Sequence, residues 1–157
     1  MELKEIRFKG GIDVVFISET PDLNKFKCIV QPHARTPVPH YHEKFDETIK
    51  GLVGITTIIV DGKTTQLSPG DSMVIQRGAV HQIANKTHDT IEFLCEIRPG
   101  IFGYEYFRDI STIINVKGPP DIERFKSIMR SYGLVPVISF KQSIIFGLIR
   151  IIRMFKK

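Results

Sequence analysis

The residues of this chain whose types and spacing can do chemistry are His40, His42, Glu47 and His81. The first three lie in P-H-Y-H-E-K-F-D-E-T-I-K-G-L-V-G and the fourth in P-G-D-S-M-V-I-Q-R-G-A-V-H-Q-I-A-N. Three imidazoles and one carboxylate are a ligand set for a divalent transition metal ion. Fe, Mn, Ni, Cu and Zn all accept such donors, and affinity alone does not choose among them. Ligation needs neutral histidine and ionised glutamate, so occupancy is expected to fall as pH drops through the histidine range.

These residues need strands to position them. Successive side chains on a strand point to opposite faces, so His40 and His42 share a face. Glu47 lies five positions beyond His42, an odd offset that a flat strand would send to the other face. The chain must bend, bulge or pass to the next strand for the carboxylate to converge, and the polar stretch E-K-F-D permits a short connection. His81 follows Gly78 after a turn and starts a strand running to Ala84.

Residues 12 to 98 carry the rest of the strand pattern: I-D-V-V-F-I-S, F-K-C-I-V, L-V-G-I-T-T-I-I-V, K-T-T-Q-L, S-M-V-I-Q and T-I-E-F-L-C-E-I. Turn chemistry at Thr20-Pro21-Asp22, Asp61-Gly62 and Ser68-Pro69-Gly70-Asp71 punctuates these runs. Asp61-Gly62 between apolar stretches predicts a two-residue hairpin. Many short strands without intervening helices predict a mainly β, antiparallel sandwich or barrel.

After Pro99-Gly100 the texture changes. Tyr104 to Asn115 and Asp121 to Tyr132 read as helices, the second opened by Asp121 and closed by Gly133. A third helical stretch, from about Phe140 to Phe155, sets Phe140, Ile144, Leu148, Ile151, Ile152 and Phe155 against Lys141, Gln142, Ser143, Arg150, Arg153, Lys156 and Lys157. Packing against the barrel is the first reading of this basic amphipathic segment. A subunit interface is the second, and contact with an anionic membrane surface ranks last.

His40 to Gly54 resembles the first conserved motif of the cupin superfamily: His, any residue, His, four residues, Glu, six residues, Gly. Gly70 to Asn85 resembles the second, with Gly70, Gly78, His81 and Asn85 in place. Gln76 stands where that motif has Pro, and Ala34 where the first motif opens with Gly; both departures bear on turn geometry rather than on ligands. Fifteen residues separate Gly54 from Gly70, similar to the short inter-motif loop of small single-domain cupins. The resemblance covers roughly residues 30 to 98. It implies a double-stranded β-helix or jelly-roll barrel over residues 1–100, with residues 101–157 as a C-terminal helical extension packed on the barrel or at a dimer interface. It also implies that His40, His42, Glu47 and His81 bind the metal, leaving coordination positions open to water or substrate. The function expected is that of a metal-binding cupin acting as a small-molecule enzyme of oxygenase or isomerase type. The alternative is a non-catalytic module for binding or sensing a small molecule or metal.

Composition narrows the partners. A chain of 157 residues, 42% apolar and 25% charged, has the makeup of one globular domain. Of a net charge of +5, much is due to Arg150, Arg153, Lys156 and Lys157 at the very end, and no nucleic-acid motif is present. The start M-E-L-K-E-I-R-F-K-G has no signal-peptide h-region, and no apolar run reaches the roughly 20 residues of a membrane span. Cys28 and Cys95 read as free buried thiols in a reducing compartment. A cytoplasmic homodimer holding a small molecule in the barrel is expected. Tyr41 should face away from the ligands and His33 and His88 should lie on the surface. Ile49, Ile83, Phe93 and Met73 are candidates to line the cavity. No nucleophile–base arrangement stands out, so no catalytic residue and no organic cofactor is assigned.

Overall fold

Two antiparallel sheets carry the computed structural model, which describes residues 4–138. The third helical stretch expected from the sequence, together with its basic end, lies outside the described residues. The strands are β1 (Glu5–Phe8), β2 (Ile12–Glu19), β3 (Asn24–Val30), β4 (His40–His42), β5 (Asp46–Val53), β6 (Thr56–Val60), β7 (Lys63–Leu67), β8 (Ser72–Ile75), β9 (His81–Ala84) and β10 (Ile91–Arg98). Helices α1 (Tyr104–Ile114) and α2 (Ile122–Ser131) follow, and a short β11 (Leu134–Pro136) closes the described chain. One sheet has the order β1-β2-β3-β10-β5-β8 and the other β11-β4-β9-β6-β7. From β3 onward the chain passes repeatedly between the sheets, winding a double-stranded β-helix around a shared core.

Alternation along the strands decides what is inside. In β3 the buried residues are Asn24, Phe26, Cys28 and Val30, and in β10 they are Ile91, Phe93, Cys95 and Ile97. The intervening faces carry ion pairs, Lys25 to Glu96 at 2.9 Å and Lys27 to Glu92 at 3.0 Å. Fully burying each Phe or Ile of this core contributes about 1.5–3 kcal/mol. Both cysteines are free and buried, as expected.

The run L-V-G-I-T-T-I-I-V is not one strand. Gly54 takes φ +68° and divides it into the end of β5 and all of β6, which belong to different sheets. A Cβ at Gly54 would also stand 2.8 Å from Ile91 Cγ2, so both the backbone and the space call for glycine. The Asp61-Gly62 hairpin forms as predicted, with φ +46° and +80° joining β6 to β7.

The helices lie within one residue of their sequence-derived bounds. Helix α1 buries Tyr106, Ile110 and Ile113, one face at helical spacing. Helix α2 buries Phe125 and Met129, and the Asp121 carboxylate accepts the Arg124 N–H at its start. Phe107 of α1 inserts among Phe16, Phe26 and Phe102, with ring centroids 5.0–5.6 Å apart. Among the described residues no helix is long and apolar enough to cross a membrane.

Candidate metal centre

Cross-strand pairing brings the imidazoles together. His40 on β4 and His81 on β9 are direct register partners, the closest relation two strands offer. His42 lies two residues along β4 on the same face. The ring centroids of His40, His42 and His81 are 4.5–5.3 Å apart, and their ligand atoms all lie within 4.8 Å of one another. Of the three ways to bring Glu47 into this group, the chain passes to the next strand. Glu43 and Lys44 turn the chain, and β5 begins in the opposite sheet. The carboxylate therefore approaches from across the barrel, its Oε2 3.6 Å from His42 Nε2 and 3.4 Å from His81 Nε2.

The expectation that E-K-F-D is simply a polar connector needs correcting at Phe45. Its side chain is fully buried, and its ring stacks on His42 at 4.2 Å and on Phe102 at 5.2 Å. A lone aromatic in a polar stretch was the available signal. Asp46 fastens the neighbouring loop, accepting from Arg77 N at 2.8 Å and from the Arg77 guanidinium at 3.2 Å. Gly78 N donates to His42 O at 2.8 Å, and the Asp61 carboxylate accepts Val80 N–H at 3.0 Å. The loop that delivers His81 is tied down on three sides. Gln76, at the motif's Pro position, still closes this turn by accepting Ala79 N–H at 3.1 Å. At the other departure the positive φ falls on His33 rather than on Ala34.

Backbone carbonyls set two tautomers. His40 Nδ1 is 3.2 Å from Val38 O and His81 Nδ1 is 3.0 Å from Ala79 O. A carbonyl only accepts, so Nδ1 carries a proton in both rings; Nε2 is the inward lone pair of His40, while in His81 it faces Glu47 Oε2 at 3.4 Å. His81 Nε2 is buried with no hydrogen-bond partner, and so is His42 Nδ1. Burial, and then the fields of His81 and His42, depress the His40 pKa to about 3; burial depresses His42 to about 4 despite Glu47. His81 shifts the other way: burial lowers it, but the adjacent Glu47 carboxylate outweighs burial. Burial pushes the Glu47 carboxyl up, while His81 and the other imidazoles pull it down further, to about 2. An ionised carboxylate and three inward-facing imidazoles, buried except for the half-buried His40, share this space, and the proton held by His81 is the positive charge that offsets Glu47. This donor set fits a divalent metal ion.

The other sequence-derived candidates sort by strand phase. Ile83 and Phe93 line a cavity that reaches the site, whereas Ile49 and Met73 oppose one another across β5 and β8 and do not line it. Tyr41 is half-buried and is not part of the cavity wall. His33 and His88 are exposed, with rings 4.9 Å apart. Asn85 binds no ligand: its amide donates to Val30, Gln31 and Asp89 carbonyls and its Oδ1 accepts from Thr87, clasping two loops. Sequence reasoning missed Tyr106, which the helical segment sends to the cavity wall. Its phenol pKa is raised by burial and by the Glu47 charge.

Residues 26–96 match the family described as "Cupin domain". An uncharacterized protein of Aquifex aeolicus is 34% identical over 74 residues, which are 47% of this chain and 59% of that protein. The match thus spans about three fifths of that relative's length. Among solved structures, KdgF from a Halomonas species superposes with a TM-score of 0.55 at 24% identity, covering 61% of this chain and 87% of the other. A predicted oxalate decarboxylase from Thermotoga maritima superposes at 0.54 with 21% identity, over 62% and 91%. At these identities the likeness to the solved structures is one of fold.

Proposed function

From the premise that the β body of this chain belongs to the cupin superfamily, we propose that His40, His42, Glu47 and His81 together hold one divalent transition metal ion. The observation that carries the proposal is the convergence of three imidazoles whose ligand atoms all lie within 4.8 Å of one another on the Glu47 carboxylate, 3.4 Å from His81 Nε2. The two carbonyl-anchored rings need no rearrangement to present Nε2, and Phe45 holds the His42 ring by stacking. Such an ion would act as a Lewis acid and bind a small molecule at an open position. The function that follows is metal-dependent chemistry on a small molecule in the barrel, of oxygenase or isomerase type. A binding or sensing module with the same metal is the second reading.

The same proposal keeps the protein a cytoplasmic homodimer with a small-molecule ligand in the barrel and no nucleic-acid partner, and ranks contact of the C-terminal segment with a membrane surface last. The buried free thiols of Cys28 and Cys95 accord with a reducing compartment. Elemental analysis of protein prepared without a histidine tag tests the metal directly. Near one equivalent of Fe, Mn, Ni, Cu or Zn is expected, or uptake of one equivalent by stripped protein. Folded protein that takes up none of these ions overturns the proposal.

A further inference from the structure

Away from the imidazoles, the cavity has a different character. Its volume is about 130 Å³, and α1, α2 and the segment leading into them wall it. Phe26, Phe93, Phe102, Ile110, Phe125 and Met129 supply much of its surface. Among the described residues, and apart from the proposed ligands, Arg35 is the sole charged residue on the wall, and Arg35 is exposed. Cys28 and Cys95 add polarizable, weakly polar surface, and burial keeps the Cys95 thiol protonated. Thr36 and Tyr106 are the hydroxyls present. Tyr106 makes no hydrogen bond among the described residues, although its ring packs on Phe102 at 4.5 Å.

We infer that this cavity takes an uncharged organic molecule of about one ring, apolar over most of its surface and carrying one oxygen donor that points to the His–Glu end. Size and wall chemistry both lead there. An apolar protein cavity of roughly 150 Å³ lined by Leu, Ile and Phe stays dry and binds benzene. A polyol would bury several hydroxyls, each costing about 1–3 kcal/mol when unpaired, against a wall offering two. A dianion would need buried positive charge, which the described residues of this wall do not supply. The direction of the donor rests on the metal proposal; the apolar character of the occupant does not. The Tyr106 hydroxyl is the second polar contact for that donor, acting as a positioning residue.

Methyl NMR of the full chain, observing Ile83, Ile110 and Met129, separates these parts. In metal-free protein, benzene is expected to shift these methyls saturably and glucose to leave them unmoved. Phenol should bind several-fold more tightly to zinc-loaded than to metal-free protein, with benzene equal in both. Tyr106→Phe should weaken phenol a few-fold and leave benzene unchanged. Absence of a saturable benzene shift, or a saturable shift with glucose, overturns the apolar occupant. Equal phenol affinity with and without zinc overturns the donor orientation, and an unaltered phenol affinity in Tyr106→Phe removes that contact. Failure to take up zinc falls on the metal proposal and on the donor orientation with it, while a benzene shift would still establish the apolar occupant.

Discussion

The two ends of the cavity are held by opposite physics. At one end His40, His42, Glu47 and His81, from three strands and both sheets, crowd ring nitrogens and a negative charge into a largely buried space. At the other, Phe26, Phe102 and Phe107 pack as rings against rings, with Phe125 on the same cavity wall. The polar end costs stability until a cation arrives; the apolar end supplies stability whether or not anything is bound. A site of this kind is poised by its surroundings, because the aromatic end stabilises a fold in which the imidazoles cannot relax apart.

The sharpest way to break the contrast is His81→Ala. Losing an outer-shell partner of a metal costs about 10–100-fold in affinity, and losing this ring should cost more. Zinc titration checks it, with circular dichroism expected to show the barrel intact. Phe102→Ala addresses the other end. A buried Phe truncated to Ala typically costs about 3–5 kcal/mol, so urea denaturation should show a large loss of stability while zinc affinity moves far less than in His81→Ala. If zinc affinity fell equally, the Phe102–Phe45–His42 stack would be joining the two ends into one unit.

Acid sharpens the comparison. In the unfolded chain His40 and His42 titrate near 6.5, but when folded they do so at about 3 and 4. Between these limits the unfolded state binds more protons, so stability of the metal-free protein is present above pH 6.5 and is lost as pH falls towards 4. His81 is raised instead; its contribution is full below its unfolded value and is lost as pH rises through its folded one. A metal ion must displace that proton, so zinc affinity should climb with pH up to the raised His81 value rather than through the ordinary histidine range. Thermal unfolding of stripped protein and zinc titrations across pH 4 to 8 read the two trends separately. The smallest effect is expected at Arg77→Ala. The exposed pair with Asp46 is worth about 1 kcal/mol or less, and Gly78 still anchors the His81 loop to β4.

The polar end was legible in the sequence because its information is local. The two-residue alternation puts His40 and His42 on one face, and the resemblance to the two cupin motifs names Glu47 and His81 beside them. Helix bounds were legible for the same reason, through Asp121, Gly133 and the apolar spacing of each helix. What escaped was long-range. The sheet switch at Gly54 depends on how closely Ile91 approaches it, which no local pattern states. Phe45 looked like part of a connector because its partner, Phe102, lies far along the chain. The odd offset of Glu47 could be posed as a problem but not solved, since the answer lies in the opposite sheet. Tyr106 fell inside the expected first helix with no role of its own, because its place on the cavity wall depends on how that helix packs on the barrel.

Strand β11 carries a further consequence. It pairs with β4 residue for residue, Leu134 with His42, Val135 with Tyr41 and Pro136 with His40, whereas β9 contributes a single partner, His81, on the other side. The three-residue strand that presents two imidazoles is therefore zipped mainly by chain synthesised after both helices. The frame around His40 and His42 is thus completed by residues 134–136, about a hundred positions further along the chain than the pair they hold.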